Sequence, residues 1–228
     1  MLNIFARASV SRVTDPVGAW LVRRGLTPNA MTVIGSAATC AAALWFFPHN
    51  QLVTGSVVVT ILLFSDLLDG AMARASGSAT RFGGVLDASC DRITDGVLFG
   101  SIAWWCFVVA GDDVTGAAAL VCMASAQVIS YVKARAEANG LSADGGLMER
   151  AERFIIALVG TFLQGVGVPY AVAVALWLLA GLALITVAQR LVAVWRSAKT
   201  LAEAHPEAGG SGPKASPPSG PESTRERS

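Results

Sequence analysis

Asp66 and Asp69 stand three residues apart, and Asp87 and Asp91 four apart, within the stretch DLLDGAMARASGSATRFGGVLDASCD. On an α-helix with about 3.6 residues per turn, those spacings put the two members of each pair about 60° and 40° apart, on one face. A turn rich in Gly, Ser and Thr, carrying Arg74 and Arg81, joins the pairs. Four carboxylates can therefore meet at one point. Two carboxylates about 5 Å apart repel by about 3 kcal/mol at an effective dielectric of about 20. At the centre of a membrane helix each charge costs about 3 kcal/mol more. Such a cluster is tolerated where it faces a wet cavity and is neutralised. Two divalent ions balance four carboxylates, and an all-oxygen donor set suits Mg²⁺, Mn²⁺ or Ca²⁺ rather than zinc. Paired ions about 3.5–4 Å apart can hold a diphosphate and polarise its phosphorus.

The elements that must position these groups are membrane helices. The 228-residue chain is 54% hydrophobic and only 14% charged, against about 25% charged in soluble domains. No Asp, Glu, Lys or Arg occurs from Gly25 to Ser65, or from Phe154 to Gln189. A span needs about 20 apolar residues, so each run predicts two spans and a turn. The reading is an all-α integral membrane protein with six transmembrane helices. The spans are expected at about Asn29–Phe47, Leu52–Arg74, Phe82–Ala110, Val114–Val132, Arg150–Leu163 and Tyr170–Trp195. Residues 1–25, mixing Leu2, Ile4, Phe5 and Trp20 with four arginines, predict an interfacial amphipathic helix. Residues 26–200 form the catalytic membrane domain. Residues 201–228, rich in Pro, Gly, Ser and Glu, read as a disordered cytoplasmic tail.

Charge placement orients the bundle. All 17 Lys and Arg lie before residue 25, at 74–92, at 133–153, or beyond Gln189. The turns at 48–51, 111–113 and 164–169 have none. The positive-inside rule then places both termini and the acidic stretch on the cytoplasmic side of the cell membrane. Cys40, Cys90, Cys106 and Cys122 show no CxxC spacing and read as small apolar packing residues. His49, Asp112 and Asp113 read as solvated turn residues.

Asp66-x2-Asp69-Gly70-x2-Ala73-Arg74-x8-Gly83-x3-Asp87-x3-Asp91 resembles, at every specified position, the signature of the CDP-alcohol phosphotransferases, the CDP-alcohol phosphatidyltransferase family. The resemblance implies a six-span fold, a homodimer, a CDP-linked lipid donor and two metal ions, Mg²⁺ or Mn²⁺. It makes Asp66, Asp69, Asp87 and Asp91 metal ligands, and Asp91 also the general base. Gly70, Arg74 and Thr80 correspond to contacts with the CDP-diacylglycerol head group. The more loosely matching Asn29, Ala30, Met31 and Thr32 correspond to another part of that pocket. The reaction implied is displacement of CMP by an acceptor hydroxyl whose proton Asp91 removes. A carboxylate with an ordinary pKa of about 4 is a weak base, so proton removal must accompany attack. A covalent route stays open.

The acceptor is read from the basic residues. Lys133, Arg135, Arg150, Arg153 and Arg190 lie on the aspartates' side, and such a group suits a phosphate dianion. The segments SYVKARAE and ERAERFI resemble the phosphatidylinositol phosphate synthase branch of the family, with Lys133, Arg135, Arg153 and Arg190 in its acceptor phosphate pocket. That implies inositol 1-phosphate as acceptor. The partners are then CDP-diacylglycerol, inositol phosphate and membrane lipids, with no nucleic acid. The alternatives are a sister enzyme using glycerol 3-phosphate or free inositol and, in another class, a cation transporter.

Overall fold

The computed structural model describes residues 15–77 and 80–204, without the side chains at 65–67, 69, 75, 76 and 204. Helical residues 15–23 form α1. Then follow α2 (Pro28–Phe46), α3 (Leu52–Leu63), α4 (Ser65–Ser76), α5 (Arg81–Trp104), α6 (Asp113–Ala138), α7 (Arg150–Gly165) and α8 (Ala171–Ala204). A π-helical segment, Trp105–Ala110, continues α5. Among the described residues there is no strand.

Local chemistry explains the starts. Thr27 caps α2, its hydroxyl accepting from Ala30 N at 3.2 Å, and Pro28 supplies a first-turn φ while losing no needed donor. Thr80 caps α5 through Gly83 N at 2.9 Å. Asp112 caps α6, accepting from Thr115 N at 2.9 Å and from the Thr115 hydroxyl. Those bonds hold its carboxyl below the usual range. Asp112 is therefore a structural cap rather than a free turn residue, while Asp113, the first residue of α6, is exposed. Glu149 and Glu152 form a capping box at α7.

The helices pack as a closed ring, α3–α2–α5–α6–α8–α7 and back to α3, with α4 also against α2. Ala118, Cys122 and Ala126 form an i, i+4 ladder of fully buried small residues on α6, letting α8 approach closely. Gly160 of α7 serves the same end, since a Cβ there would clash with Ala175 of α8. The core holds Phe47, Val59, Leu98, Phe99, Ile102 and Leu176. Outward positions are just as apolar: Ile61, Val85, Val114, Ile155 and Val174 are all exposed. A bundle apolar on both sides is built for lipid.

Among the described residues, four helices are long and apolar enough to cross a membrane: α2, α5 with its π segment, α6 and α8. The second expected span is broken: α3 ends at Leu63, Phe64 forms a turn and α4 restarts at Ser65. α8 continues through Ala204, and the rest of the expected tail, like residues 1–14, lies outside the described residues. The exposed turn residue His49 places Nδ1 2.6 Å from Trp45 O and stacks on the Trp45 ring.

Candidate active site

Asp66 and Asp69 stand on α4 and Asp87 and Asp91 on α5. The first pair's side chains are outside the described residues. Asp87 is exposed and Asp91 half-buried. Among the described residues no group of three or more ligating side chains assembles. The candidate donors are nonetheless all carboxylate oxygens, and the half-buried Cys90 is their only soft neighbour along α5. That donor chemistry fits Mg²⁺ or Mn²⁺.

Beside the aspartates, two helix starts meet. A Cβ on Gly83 would come within 3.0 Å of Asn29 Oδ1 and 3.1 Å of Thr80 Oγ1, so the first turns of α2 and α5 approach closely here and a side chain would press on both. This brings Asn29 alongside Thr80, about two turns before Asp87, with Ala30, Met31 and Thr32 following Asn29 in the first turns of α2. Thr32 is buried, with its hydroxyl donating to Pro28 O at 3.1 Å. Both helices direct backbone N–H groups and positive dipole ends to this corner, which favours a diphosphate. Among the described residues a Cβ at Gly70 would meet Arg74 Nη1 at 3.7 Å, an ordinary contact distance. Arg74 is exposed and bonds Asp15 of α1 at 2.9 Å. α1 is seated there because Gly18 lies directly against Ala71 and Met72 of α4.

A cavity of about 990 Å³ opens next to Asp91, between α5, α6, α7 and α8. Lys133, Arg150, Arg153 and Arg190 line it, together with Arg92. Arg150 crosses the ring, Nη1 at 2.8 Å from Asp91 Oδ1 and Nε at 2.9 Å from Asp95 Oδ1. Arg153 Nη2 lies 3.9 Å from Asp95 Oδ2, and Arg92 Nη2 3.2 Å from the same oxygen. Arg190 Nη1 donates to Ile129 O at 2.9 Å. One turn deeper, Phe99 and Phe154 face each other with centroids 6.5 Å apart, and Arg150 lies over the Phe154 ring. These rings floor the polar layer. Within it Arg153 is buried, yet among the described residues its Nε and Nη1 have no hydrogen-bond partner; neither do Arg92 Nε and Nη1 or Arg190 Nε. Buried donors left unpaired are costly. A cluster of them on cationic side chains is the arrangement an anion would complete.

The structure thus brings Lys133, Arg153 and Arg190 together beside Asp91. Arg135 is exposed and not on the cavity wall. Two residues advance a helix by about 200°, so Arg135 points away when Lys133 points in. Arg92 and Asp95 join the site without having been singled out by the sequence. Asp95 had one signal, its place in the i, i+4 ladder with Asp87 and Asp91.

The CDP-alcohol phosphatidyltransferase family model matches residues 25–195. The chain is 50% identical over 195 residues to the phosphatidylinositol phosphate synthase of Mycobacterium marinum, covering 84% of this chain and 83% of that one. A crystal structure of the Mycobacterium tuberculosis phosphatidylinositol phosphate synthase with CDP-DAG bound superposes with a TM-score of 0.79 at 48% identity, covering 82% of this chain and 95% of that one. The same protein in complex with manganese and citrate gives a TM-score of 0.79 at 47% identity, covering 81% and 90%.

Proposed function

We propose that this chain, which belongs to the CDP-alcohol phosphatidyltransferase family, transfers the phosphatidyl group of CDP-diacylglycerol to inositol 1-phosphate and releases CMP. The observation that carries the acceptor is the cavity in which Asp91 faces Lys133, Arg150, Arg153 and Arg190, with buried guanidinium donors left over. Free inositol carries no charge to use them. The relatives' names and the relative with CDP-DAG bound support the donor and acceptor.

Asp66, Asp69, Asp87 and Asp91 are the residues that would hold two divalent ions, which supply charge neutralisation at the diphosphate and draw electron density from its phosphorus. The α2 and α5 starts, with Asn29–Thr32, Thr80 and Gly70, receive the CDP head group, and Arg74 exchanges Asp15 for a diphosphate oxygen. Arg153, Arg190 and Lys133 hold the acceptor phosphate, leaving a hydroxyl toward Asp91. Asp91 takes that hydroxyl's proton as the oxygen attacks the lipid-side phosphorus. The new P–O bond forms as the bond to CMP breaks. The apolar floor of Phe99 and Phe154 keeps water from approaching through the bundle.

α3 with α4 after the break at Phe64, and α7 with its flanking turns, complete six spans. α1 lies in the interface, with exposed Trp20 and Arg24 stacked at 4.9 Å. Every Lys and Arg then sits at the cytoplasmic end, with both termini and the site. The working unit is a homodimer, and residues 201–228 are a tail outside the catalytic domain.

The test is CMP release from labelled CDP-diacylglycerol with Mg²⁺ or Mn²⁺ and a panel of inositol 1-phosphate, glycerol 3-phosphate, free inositol and serine. Release with inositol 1-phosphate alone is expected. Release with glycerol 3-phosphate alone would reassign the acceptor, and metal flux into vesicles without CMP release would overturn the enzyme.

A further inference from the structure

Asp95 stands out among the acidic residues of α5. Asp87 is exposed and Asp91 half-buried, but the Asp95 side chain is 0% exposed. It follows Asp91 by one helical turn, pointing the same way but deeper. A buried carboxylate is tolerated only when it is paired and hydrogen-bonded. Three guanidiniums pair with it: Arg150 Nε donates a hydrogen bond to Oδ1 at 2.9 Å, while Arg92 at 3.2 Å and Arg153 at 3.9 Å lie beside Oδ2, which among the described residues has no hydrogen bond. They come from two helices, α5 and α7, which face each other across the ring. Arg153 is enclosed, whereas Arg92 and Arg150 keep 27% and 23% exposure and could swing outward. Asp91 also pairs with Arg150 at 2.8 Å and lies 3.8 Å from Arg92, but Asp95 is the carboxylate that reaches all three, and without it their mutual repulsion would favour the outward positions. All three also line the cavity beside Asp91.

We infer that Asp95 is the positioning residue of the acceptor site: it gathers Arg92, Arg150 and Arg153 into one wall, so that their remaining donors meet a phosphate dianion. It touches neither substrate nor metal and acts only through the arginines. This rests on the acceptor reading given above. It also gives Arg92 a part in phosphate binding, through Nε and Nη1, which have no hydrogen-bond partner among the described residues.

The sign of the effect separates this from simple charge balance. A carboxylate that merely lowered the cavity's positive potential would, once neutralised, leave the dianion bound more tightly. An organising carboxylate, once neutralised, leaves it bound more weakly. The experiment compares wild type, Asp95→Asn and Asp95→Glu, each at full length in detergent with Mn²⁺. Kinetics of CMP release are measured against both substrates, and inorganic phosphate binding is measured by calorimetry. For Asp95→Asn the acceptor KM should rise at least about tenfold, with the CDP-lipid KM moved far less and phosphate affinity reduced in parallel. Asp95→Glu retains the charge but adds a methylene where no space exists, and should raise the acceptor KM in the same direction. If Asp95→Asn does not fold, Asp95→Glu carries the test. An unchanged or lowered acceptor KM in the folded variant, or equal shifts in both KM values, would overturn the inference. If wild type gives no CMP with inositol 1-phosphate, the acceptor reading fails by itself. Phosphate binding then still decides on Asp95: weaker in the variant supports it, equal or tighter overturns it.

Discussion

The two ends of the bundle handle polarity in opposite ways. At the end without Lys or Arg, most polar side chains are engaged locally, the buried Ser56 Oγ being an uncharged exception. Asn50 Oδ1 accepts from Trp105 Nε1 at 2.8 Å, Asp112 caps α6, and Gln164 Oε1 accepts from Val172 N at 3.4 Å. At the basic end, buried donors on Arg92, Arg153 and Arg190 are left over, and Asp95 is enclosed among three cations. Folding alone gives no reason to retain such groups, because a buried ion pair is often no more stabilising than apolar packing of the same volume. The difference teaches that the first end closes a bundle, while the second keeps cationic donors in reserve, as the proposed acceptor phosphate would require.

Variants at the two ends should therefore part company. The largest effect belongs to Asp91→Asn. Removing the base should lower CMP release by about 10²–10⁴-fold, with the thermal midpoint little changed; normal turnover would dismiss Asp91 as base. Next is Arg190→Ala, which should raise the acceptor KM by about tenfold while sparing the CDP-lipid KM, as substrate titrations would show. The smallest catalytic effect is expected from Asn50→Ala at the opposite end. It loses the Trp105 hydrogen bond and forces alanine to φ 60°, costing about 1–3 kcal/mol of stability with kinetic constants unchanged. A thermal melt beside the same kinetic assay checks both parts, and a kinetic defect in Asn50→Ala would blur the division between the ends.

Much of this was legible in the residues. Charge-free runs and turn residues marked most of the helices, because a span needs a long apolar stretch, and the aspartate spacing put Asp87 and Asp91 on one helix with Asp66 and Asp69 on the one before it. The break at Phe64 was not legible: no Gly or Pro marks it, and a turn with φ −67° and ψ −15° is open to any residue. Asp112 looked like a free turn aspartate, although Thr115 three residues later was its capping signal. Asp95 and Arg92 acquire meaning only when α7 lies opposite α5, a tertiary fact that no spacing encodes. Arg135 shows the converse. Proximity to Lys133 in sequence suggested one pocket, and the 200° between them on α6 separates them.

The most direct test of the account is acceptor discrimination. The kcat/KM for inositol 1-phosphate should be compared with that for free inositol, in wild type and in Arg153→Ala. The account predicts a wild-type preference for the phosphorylated acceptor on the order of 100-fold, collapsing when the buried guanidinium is removed. Equal use of free inositol by wild type, or a preference that survives in Arg153→Ala, would contradict it.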